Sequence, residues 1–455
     1  MNKNSLFSHH AASLCVLLLC TVASTQLSAQ ISRSSYFIEV SRPLQAAADD
    51  QQGDQGSLPT NQSSDPALSS RARLPLKWLY GWADNNRANT VGSAASTNPL
   101  PKASYYLSTG YLPQQISNAY GFNQLPASDT GAGQIIAVIE SYGSTNLQSD
   151  LNAFDASNNI PATTVQTYYP LGKTNATDYS WAAETSLDVE WAHAMAPGAT
   201  ICVVAAPDNT VDSLLSCVDY AVKTLKAKIV SMSWGAGEFF TEKSYDFHFT
   251  NKTVTFVAAA GDNQDTNWPS TSPYVLAVGG TTMTLDTNTG TILSETGWNG
   301  SNDIGIYGPG WGGGGGYSQY EKIPQYQTFY MPFTTTVRTV PDVAYNGDPY
   351  TGYSVYFTPP GASTGGWYVF GGTSAGTPQW ASLVSRSLWT TTKPGQLNFI
   401  FGLYLLTFGC TDITSGSNGV YPALPNYDLA TGLGSPFVSN FKIPFVLDYT
   451  GYLFY

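Results

Sequence analysis

A serine flanked by small residues stands in the segment Gly371–Pro378 (GGTSAGTP). The residues after it, Gln379–Leu388, have helical spacing, so the Ser374 hydroxyl is expected at the N-terminus of a helix. Backbone N–H groups and the helix dipole stabilise an anion at such a position. Ser374 is therefore a candidate nucleophile for acyl transfer. The simpler alternative is an ordinary Gly/Ser/Thr turn that precedes a helix.

A serine nucleophile needs a general base, and the usual histidine is missing. The segment around Ser374 resembles the nucleophile motif of subtilisin-fold peptidases, in which a histidine followed by Gly-Thr completes the triad. Here His193 is followed by Ala-Met and His248 by Phe-Thr. A Ser-His-Asp triad in its usual form is thus not available, and another group must take the proton.

Two carboxylates four residues apart, Glu184 and Asp188, are the candidate base. Both lie in a predicted helix, Tyr179–Met195, where this spacing places them on one face. Like charges repel there unless the two groups share a proton, as carboxylate dyads do. A solvated acidic helix is the alternative, but Trp181 and Trp191 make this helix too apolar to be freely exposed.

Strands and helices alternate around these residues, which predicts an α/β fold with a central parallel sheet flanked by helices on both faces. The resemblance of the Ser374 segment implies that this fold is subtilisin-like. The predicted strands are Gln134–Glu140, Thr200–Ala205, Ala227–Trp234 and Thr253–Ala260; the other predicted helices are Asn146–Ala156 and Val211–Leu225. Functional sites of such sheets form beyond the carboxyl ends of the strands. Glu140, Trp234 and Asp262 all lie at or just past those ends.

Charge and composition limit the function classes. The 455 residues contain 31 Asp and Glu against 19 Lys and Arg, which argues against a nucleic-acid partner. Only 11% of residues are charged, and a surface with few carboxylates loses little when they are protonated, so the composition suits low pH. Of the three cysteines outside the N-terminal segment, Cys202 and Cys217 are placed for a local disulfide, with Cys410 free and buried, but the sequence leaves the pairing open.

Three regions follow one another along the chain. Residues 1–29 are interpreted as a secretory signal, with the apolar run Ala11–Ala23 too short to span a bilayer. Residues 30–104 are largely low-complexity and are expected to be a short propeptide or linker, in which the apolar cluster Leu76–Trp82 is a docking segment. Residues 105–455 are predicted to form the functional domain.

Taken together, Ser374 in Gly-Thr-Ser and the Glu184/Asp188 pair in E-x-x-L-D resemble the sedolisins, the serine-carboxyl peptidases. Further segments match this family in order between residues 105 and 436. They are Tyr120-Gly121-Phe122, Ser231–Gly235, Ala258–Asp262, Trp268–Thr281, Pro341–Ala344 and Thr431–Pro436.

The resemblance implies a mechanism. Glu184 would take the proton from Ser374, with Asp188 orienting it, and Asp262 would supply the oxyanion hole as a protonated acid. Glu140 and Trp234 match family positions that extend the hydrogen-bond chain behind the base.

The resemblance also implies one structural Ca²⁺. Asp412 and Asp428 match the two carboxylate ligands, and the carbonyls of Ile413, Leu424 and Asn426 would complete the shell with water. Leu424 and Asn426 replace glycines that are usual before the second aspartate, so glycine-specific dihedrals are not expected there.

The sequence thus predicts a secreted, acid-acting, monomeric serine endopeptidase that cleaves protein or peptide substrates, without a membrane partner once the signal is removed. Tripeptidyl-peptidase action is left open. The short, low-complexity region 30–104 departs from the large folded propeptide of the family. The alternative is therefore a catalytically inactive binding or surface protein on the same fold.

Overall fold

The computed structural model describes residues 77–82, residues 109–300, residues 311–386 apart from 333, and residues 409–438. Residues 77–82 are described by their backbone only. The predicted signal, residues 1–29, and the rest of the predicted propeptide lie outside these ranges. Within them, none of the helices combines the length and the apolar character that crossing a membrane requires.

A parallel sheet organises the described chain, as predicted. Its strands are β2 (Ile135–Ser141), β3 (Gln166–Tyr168), β4 (Thr200–Ala206), β5 (Ile229–Met232), β7 (Thr255–Ala259), β9 (Val275–Asp286), β10 (Thr291–Gly297) and β15 (Val343–Asn346). They run in the order β10-β9-β7-β5-β2-β4-β3, and β15 pairs with β9. All of these pairings are parallel except that of β10 with β9.

The other strands of the described ranges form one three-stranded sheet and four two-stranded sheets. They are β1 (Lys77–Trp82), β6 (Ala236–Gly237), β8 (Asn267–Trp268), β11 (Asn299–Gly300), β12 (Trp311–Gly312), β13 (Gly316–Lys322), β14 (Val337–Val340), β16 (Tyr353–Phe357), β17 (Gly366–Gly371), β18 (Cys410–Thr411) and β19 (Ser435–Pro436). The α-helices of the described ranges are α1 (Pro113–Tyr120), α2 (Leu147–Asn158), α3 (Tyr179–Met195), α4 (Val211–Lys223) and α5 (Thr373–Arg386).

The two faces of the sheet carry separate hydrophobic cores. Alternate residues of β2 point to opposite sides, so Ile136 joins one core and Ala137 the other. Helices α3 and α5 pack on the first face, where Trp191 and Trp380 are fully buried. Helix α4 packs on the second. The predicted layer arrangement, helices on both faces of a parallel sheet, is therefore confirmed.

Helix α3 has the bounds that the sequence predicts, because both ends carry a local signal. The Asp178 side chain caps the N-terminus and accepts the Trp181 N–H at 3.0 Å. The helix ends before Pro197, which cannot continue it. Nearly every residue of α3 is buried, since it lies between the sheet, α2, α5 and β16.

The predicted docking segment forms strand β1, which pairs antiparallel with β17. Lys77 lies opposite Gly371 and Trp82 opposite Trp367. Strand β17 leads directly into α5, so this part of the N-terminal region covers the edge of the strand that precedes Ser374.

No disulfide forms among the described cysteines. Cys202 in β4 and Cys217 in α4 are buried free thiols, and Cys410 is a free thiol that is partly exposed. The Cys202–Cys217 disulfide, which the sequence left open, is therefore not formed in the structure. The expectation that Cys410 is buried is wrong.

The glycine run 312–315 is a tightly packed backbone segment. Gly312 and Gly314 donate their N–H groups to the carbonyls of Asp262 and Gly261, at 3.0 and 2.7 Å. A Cβ on Gly314 would collide with the Ala260 carbonyl oxygen. Glycine is needed here because backbone meets backbone.

Replacement of Gly314 by alanine should therefore push the 260–262 loop away from its position. We expect Gly314→Ala to lower the free energy of unfolding by about 1–3 kcal/mol, because the added methyl meets backbone that cannot rotate away. The matched control is Gly237→Ala, where a Cβ meets nothing within 4 Å. Equal urea-denaturation midpoints for the two variants would contradict this explanation of the run.

A carboxyl cluster, formed by Glu238, Glu242, Asp246 and Glu321, joins the loop after β6 to strand β13. Glu238 accepts the hydroxyl of Thr266 at 2.5 Å and that of Ser318. Asp246 and Glu321 lie close enough for each carboxyl to affect the pKa of the other, and burial is the main cause that raises both pKa values. Burial, followed by the charges and hydrogen bonds of neighbouring carboxyls, raises the pKa of Glu242 to about 9.

The same causes raise the pKa of Glu321 to about 8: burial first, then the charge of Asp246, against which Lys243 acts in the lowering direction. A carboxyl whose pKa is raised by folding binds its proton more tightly in the folded state. Its contribution to stability is therefore present below the unfolded pKa and is lost as pH rises toward the folded value. For Glu321 that window extends from about pH 4.5 to about pH 8.

We therefore expect the free energy of unfolding to fall as pH rises through this window, and Glu321→Gln to reduce the fall by about 1–3 kcal/mol because glutamine stays neutral. Chemical denaturation at pH 4.5 and pH 8 measures the difference. Asp212→Asn, at the partly exposed start of α4, removes the same charge and should keep the wild-type pH dependence. If Glu321→Gln lost as much stability as the wild type between pH 4.5 and pH 8, the fall could not be assigned to Glu321.

Candidate active site

Three carboxyl groups meet beneath helix α3 with no exposure to solvent. Glu184 and Asp188 are one helical turn apart on α3, and Glu140 reaches them from the end of β2. Burial raises the pKa of Glu140 well above its usual range, and the charges of Asp188 and then Glu184 raise it further. The predicted dyad is thus part of a three-carboxyl cluster (Glu140, Glu184, Asp188).

Asp188 receives the best-defined hydrogen bond of this cluster. The Ser233 hydroxyl donates to Asp188 Oδ2 at 2.7 Å, just past the end of β5. Burial raises the pKa of Asp188 well above its usual range, and the Ser233 hydrogen bond acts in the opposite direction. Ser233 Oγ is also 3.5 Å from the Ser374 carbonyl oxygen, so this one hydroxyl lies between the helix of the carboxyls and the helix of the serine.

Ser374 is the second residue of α5, closer to the helix N-terminus than the spacing of the sequence predicted. Gly372, just before the helix, has φ +100°, which favours glycine and lets the chain turn sharply from β17 into α5. The Ser374 hydroxyl is buried and makes no hydrogen bond with any described residue. The serine and the carboxyl cluster are brought together by the direct packing of α3 on α5.

Asp262 lies beside the serine, held by the residue that precedes it. Its Oδ1 accepts both the Thr373 N–H at 2.8 Å and the Thr373 hydroxyl at 2.9 Å. Thr373 Oγ1 in turn accepts the Gly261 N–H at 3.1 Å. The structure therefore places Asp262 next to Ser374, as expected for strand ends that meet at one edge of the sheet.

Trp234 is fully buried in the second hydrophobic core, one residue after Ser233. Its indole N–H has no hydrogen-bond partner among the described residues. The expected hydrogen-bond chain from Trp234 to the base therefore stays a prediction, whereas Glu140 joins the cluster through its charge.

Neither histidine of the described chain contacts the serine. His193 Nε2 lies 2.9 Å from the Pro161 carbonyl oxygen and 3.4 Å from an Asp155 oxygen. His248 Nδ1 lies 3.0 Å from Asp219. Both are engaged in packing, in agreement with the carboxylate alternative for the base.

The predicted calcium residues converge on one turn. Asp412 accepts the Asn426 N–H at 2.7 Å, and Asp428 accepts the Leu424 N–H at 2.9 Å, so the two carboxylates flank residues 424–426. Burial raises the pKa of both aspartates, and no ion pair of the described chain reaches either. No group of three or more His, Cys, Asp or Glu residues suited to a metal occurs in the described ranges. Two carboxylates with backbone carbonyls nevertheless fit the oxygen ligands of Ca²⁺.

One detail of that turn differs from expectation. Asn426 has φ +69°, a left-handed conformation that asparagine tolerates better than most residues. The glycine-like dihedral is therefore kept without glycine. Ile413 is buried behind the turn, in a small core with Ala423 and Ala430.

The sequence reasoning missed Ser233 and Thr373 as parts of the site. Both stand inside motifs that it singled out, Ser231–Gly235 and Gly371–Pro378. The only signal available was position: each is a hydroxyl residue one or two places from a candidate residue. Which carboxyl each would contact depends on how the two loops meet, and one sequence does not show that.

Chemically, the arrangement offers a hydroxyl at a helix N-terminus, a buried carboxyl cluster that can take up its proton, and a further carboxyl beside it. These are the parts that a nucleophilic acyl transfer needs.

Comparison with known proteins shows which peptidases the chain is similar to. Residues 173–388 match the model of the Subtilase family. Kumamolisin of Bacillus sp. (strain MN-32) is 37% identical over 368 residues, which cover 72% of this chain and 62% of that protein. Sedolisin of Pseudomonas sp. (strain 101) is 28% identical over 72% of this chain and 60% of its own length. The chain thus spans about three fifths of the length of these curated relatives.

A solved structure is similar to this chain as well. Pseudomonas sedolisin, described as a serine-carboxyl proteinase complexed with two molecules of pseudo-iodotyrostatin, superposes with a TM-score of 0.62 at 25% identity. The match covers 73% of this chain and 97% of that one. The subtilase-family match, these relatives and this solved structure together make the chain similar to the sedolisin-type peptidases.

Proposed function

We propose that the protein is a secreted serine-carboxyl endopeptidase that hydrolyses peptide bonds of proteins or peptides at acid pH, as a monomer. The observation that carries this proposal is the junction of α3 with α5. There Ser233 hydrogen-bonds Asp188 and lies against the Ser374 backbone, so the carboxyl cluster and the serine share one buried site. Tripeptidyl-peptidase action on chain ends remains the alternative for the mode of cleavage.

In this mechanism Glu184 takes the proton of Ser374 as the hydroxyl attacks the substrate carbonyl carbon. Asp188 orients Glu184 and shares the resulting charge and proton. The tetrahedral intermediate then collapses as its C–N bond breaks, and Glu184 returns the proton to the leaving amine, which leaves an acyl-enzyme on Ser374. In the second half, Glu184 takes a proton from the water that attacks the ester carbonyl and gives it to the Ser374 oxygen as the acyl bond breaks. Glu140 supports the cluster from behind, and Trp234 would extend the hydrogen-bond chain behind the base.

Asp262 donates a hydrogen bond to the oxyanion of the tetrahedral intermediate. For this it must be protonated, since an ionised carboxylate only accepts. Glu184 must be ionised to act as base, so activity is confined to a pH window in which one acid has lost its proton and another has kept it.

Two features support action in acid. Burial raises the pKa of Glu140 and Asp188, so the cluster keeps protons to higher pH than exposed carboxyls do. The cluster of Glu242 and Glu321 shows the same behaviour away from the site, so the fold itself favours low pH. The proposed secretion depends on residues 1–29 of the sequence, outside the described ranges.

The proposal predicts a bell-shaped activity profile that is confined to acid and absent in Ser374→Ala. Hydrolysis of a denatured protein substrate between about pH 2 and pH 8 measures it, on protein from which the N-terminal segment has been removed. Asp262→Asn is the sharper variant. Asparagine donates from its amide at every pH, while its oxygen can still accept from Thr373. The alkaline limb should therefore move upward, and Asp262→Ala should lose about 100-fold in kcat.

Absence of cleavage at every pH by a folded protein would favour the inactive binding protein. Activity that survives in Ser374→Ala would refute the assigned nucleophile.

We also propose that Asp412 and Asp428, with the carbonyls of Ile413, Leu424 and Asn426, bind one structural Ca²⁺. The ion would cross-link the turn 424–426 to the strand end at Asp412. Millimolar CaCl₂ should raise the melting temperature of the wild type by several degrees and that of Asp412→Asn not at all. MgCl₂ at the same concentration is the control. Equal shifts in the wild type and the variant would exclude this site.

A further inference from the structure

Two hydroxyl groups flank the nucleophile, and each donates to a different functional carboxyl. Ser233 Oγ lies 2.7 Å from Asp188 Oδ2 and 3.5 Å from the Ser374 carbonyl oxygen. A serine hydroxyl carries one proton, so the shorter contact defines its donation. Ser233 is almost fully buried, and water does not compete for that bond.

Thr373 is fixed even more closely. Its hydroxyl accepts the Gly261 N–H at 3.1 Å, which leaves its own proton directed to Asp262 Oδ1 at 2.9 Å. Its backbone N–H donates to the same oxygen at 2.8 Å. Both lone pairs of Asp262 Oδ1 are thereby used as acceptors.

We propose that Ser233 and Thr373 are positioning residues that fix which oxygen of each functional carboxyl handles the proton. The inference rests on the roles proposed above for Asp188 and Asp262. Because Ser233 donates to Asp188 Oδ2, the proton exchanged within the base cluster is favoured on Oδ1. Because Thr373 donates twice to Asp262 Oδ1, the acidic proton of Asp262 is confined to Oδ2.

The groups that face Asp188 define the expected effect of Ser233. Glu184 lies on the same helix, Glu140 approaches from β2, and α5 contributes Ser374. The described hydrogen bond to Asp188 is that of Ser233, and it favours the ionised carboxylate. Loss of this donor should make the cluster harder to ionise, which affects the acid limb of the activity profile.

For Asp262 the surroundings differ. Its own loop carries Asp265, which accepts a hydrogen bond from Asn267 at 2.8 Å. Helix α5 contributes Thr373 and Ser374, neither of which titrates near neutral pH, and β12 contributes the Gly312 N–H, which donates to the Asp262 carbonyl. Loss of the Thr373 hydroxyl should make Asp262 harder to ionise, which affects the alkaline limb.

The first arm of the test compares Ser233→Ala with Ser231→Ala. Ser231 lies two residues earlier in β5 and is equally buried, and its hydroxyl has no partner among the described residues. In Ser233→Ala the acid limb of kcat/KM should move to higher pH by about half to one unit. kcat should fall about 10-fold with little change in KM. Ser231→Ala should keep the wild-type profile.

The second arm compares Thr373→Val with Thr373→Ser. Valine has the shape of threonine without the hydroxyl, whereas serine keeps the donor. Thr373→Val should shift the alkaline limb to higher pH by about half to one unit and lower kcat about 10-fold, because the proton can now reside on either oxygen. Thr373→Ser should keep the position of the limb. Thermal unfolding of each variant checks that the fold is retained.

¹³C NMR titration of the aspartate side-chain carboxyls, on the same variants, separates the two proposals. If Ser374→Ala abolishes activity but both limbs stay unmoved in Ser233→Ala and Thr373→Val, the positioning roles are wrong and the peptidase assignment stands. If the wild type is inactive, the proposed function fails. The titrations then still decide, since only Ser233→Ala should move Asp188 and only Thr373→Val should move Asp262. Unchanged titration curves would overturn the inference.

Discussion

The removal of Glu140, Glu184 and Asp188 from water is the constraint on which the rest of the structure depends. A buried ionised carboxylate costs several kcal/mol unless it is paired or hydrogen-bonded. No ion pair of the described chain involves Glu140 or Asp188, and burial raises the pKa of both. These two carboxyls therefore hold their protons more tightly than exposed ones do. A helix that carries such groups stays buried only because its remaining surface is apolar enough to hold it between the sheet and α5.

A second group of buried carboxyls lies between the loop after β6 and strand β13. There burial is the main cause that raises the pKa values of Glu242, Asp246 and Glu321. Buried carboxyls with raised pKa values are thus not confined to the candidate site. Each such group lowers the free energy of unfolding as pH rises from its unfolded to its folded pKa, so these carboxyls favour stability in acid over stability in alkali.

The sequence predicted the layers, the bounds of α3 and the residues that meet at the strand ends. It did so because strand length, hydrophobic spacing and the Asp178 cap are local signals. It could not predict contacts that depend on two loops meeting, such as the donations of Ser233 to Asp188 and of Thr373 to Asp262. For the same reason, the sequence did not show what the glycine run 312–315 packs against. Repeated glycine indicates close approach, but its partner, the backbone of residues 260–265, is distant in the chain.

The two halves of the site are held with different precision. Asp262 is bonded to Thr373, the covalent neighbour of Ser374, and the backbone of the glycine run fixes its loop. The proposed oxyanion donor and the proposed nucleophile are therefore held together. The proposed base and nucleophile, in contrast, are on separate helices. Hydrogen bonds from Ser382 and Arg386 of α5 to carbonyls of α3 join these helices, and the Ser233 hydroxyl bridges Asp188 and the Ser374 carbonyl. The Ser374 hydroxyl makes no hydrogen bond with the described residues. In the proposed mechanism, a shift of α3 against α5 would change the distance of proton transfer but not the position of Asp262 beside Ser374.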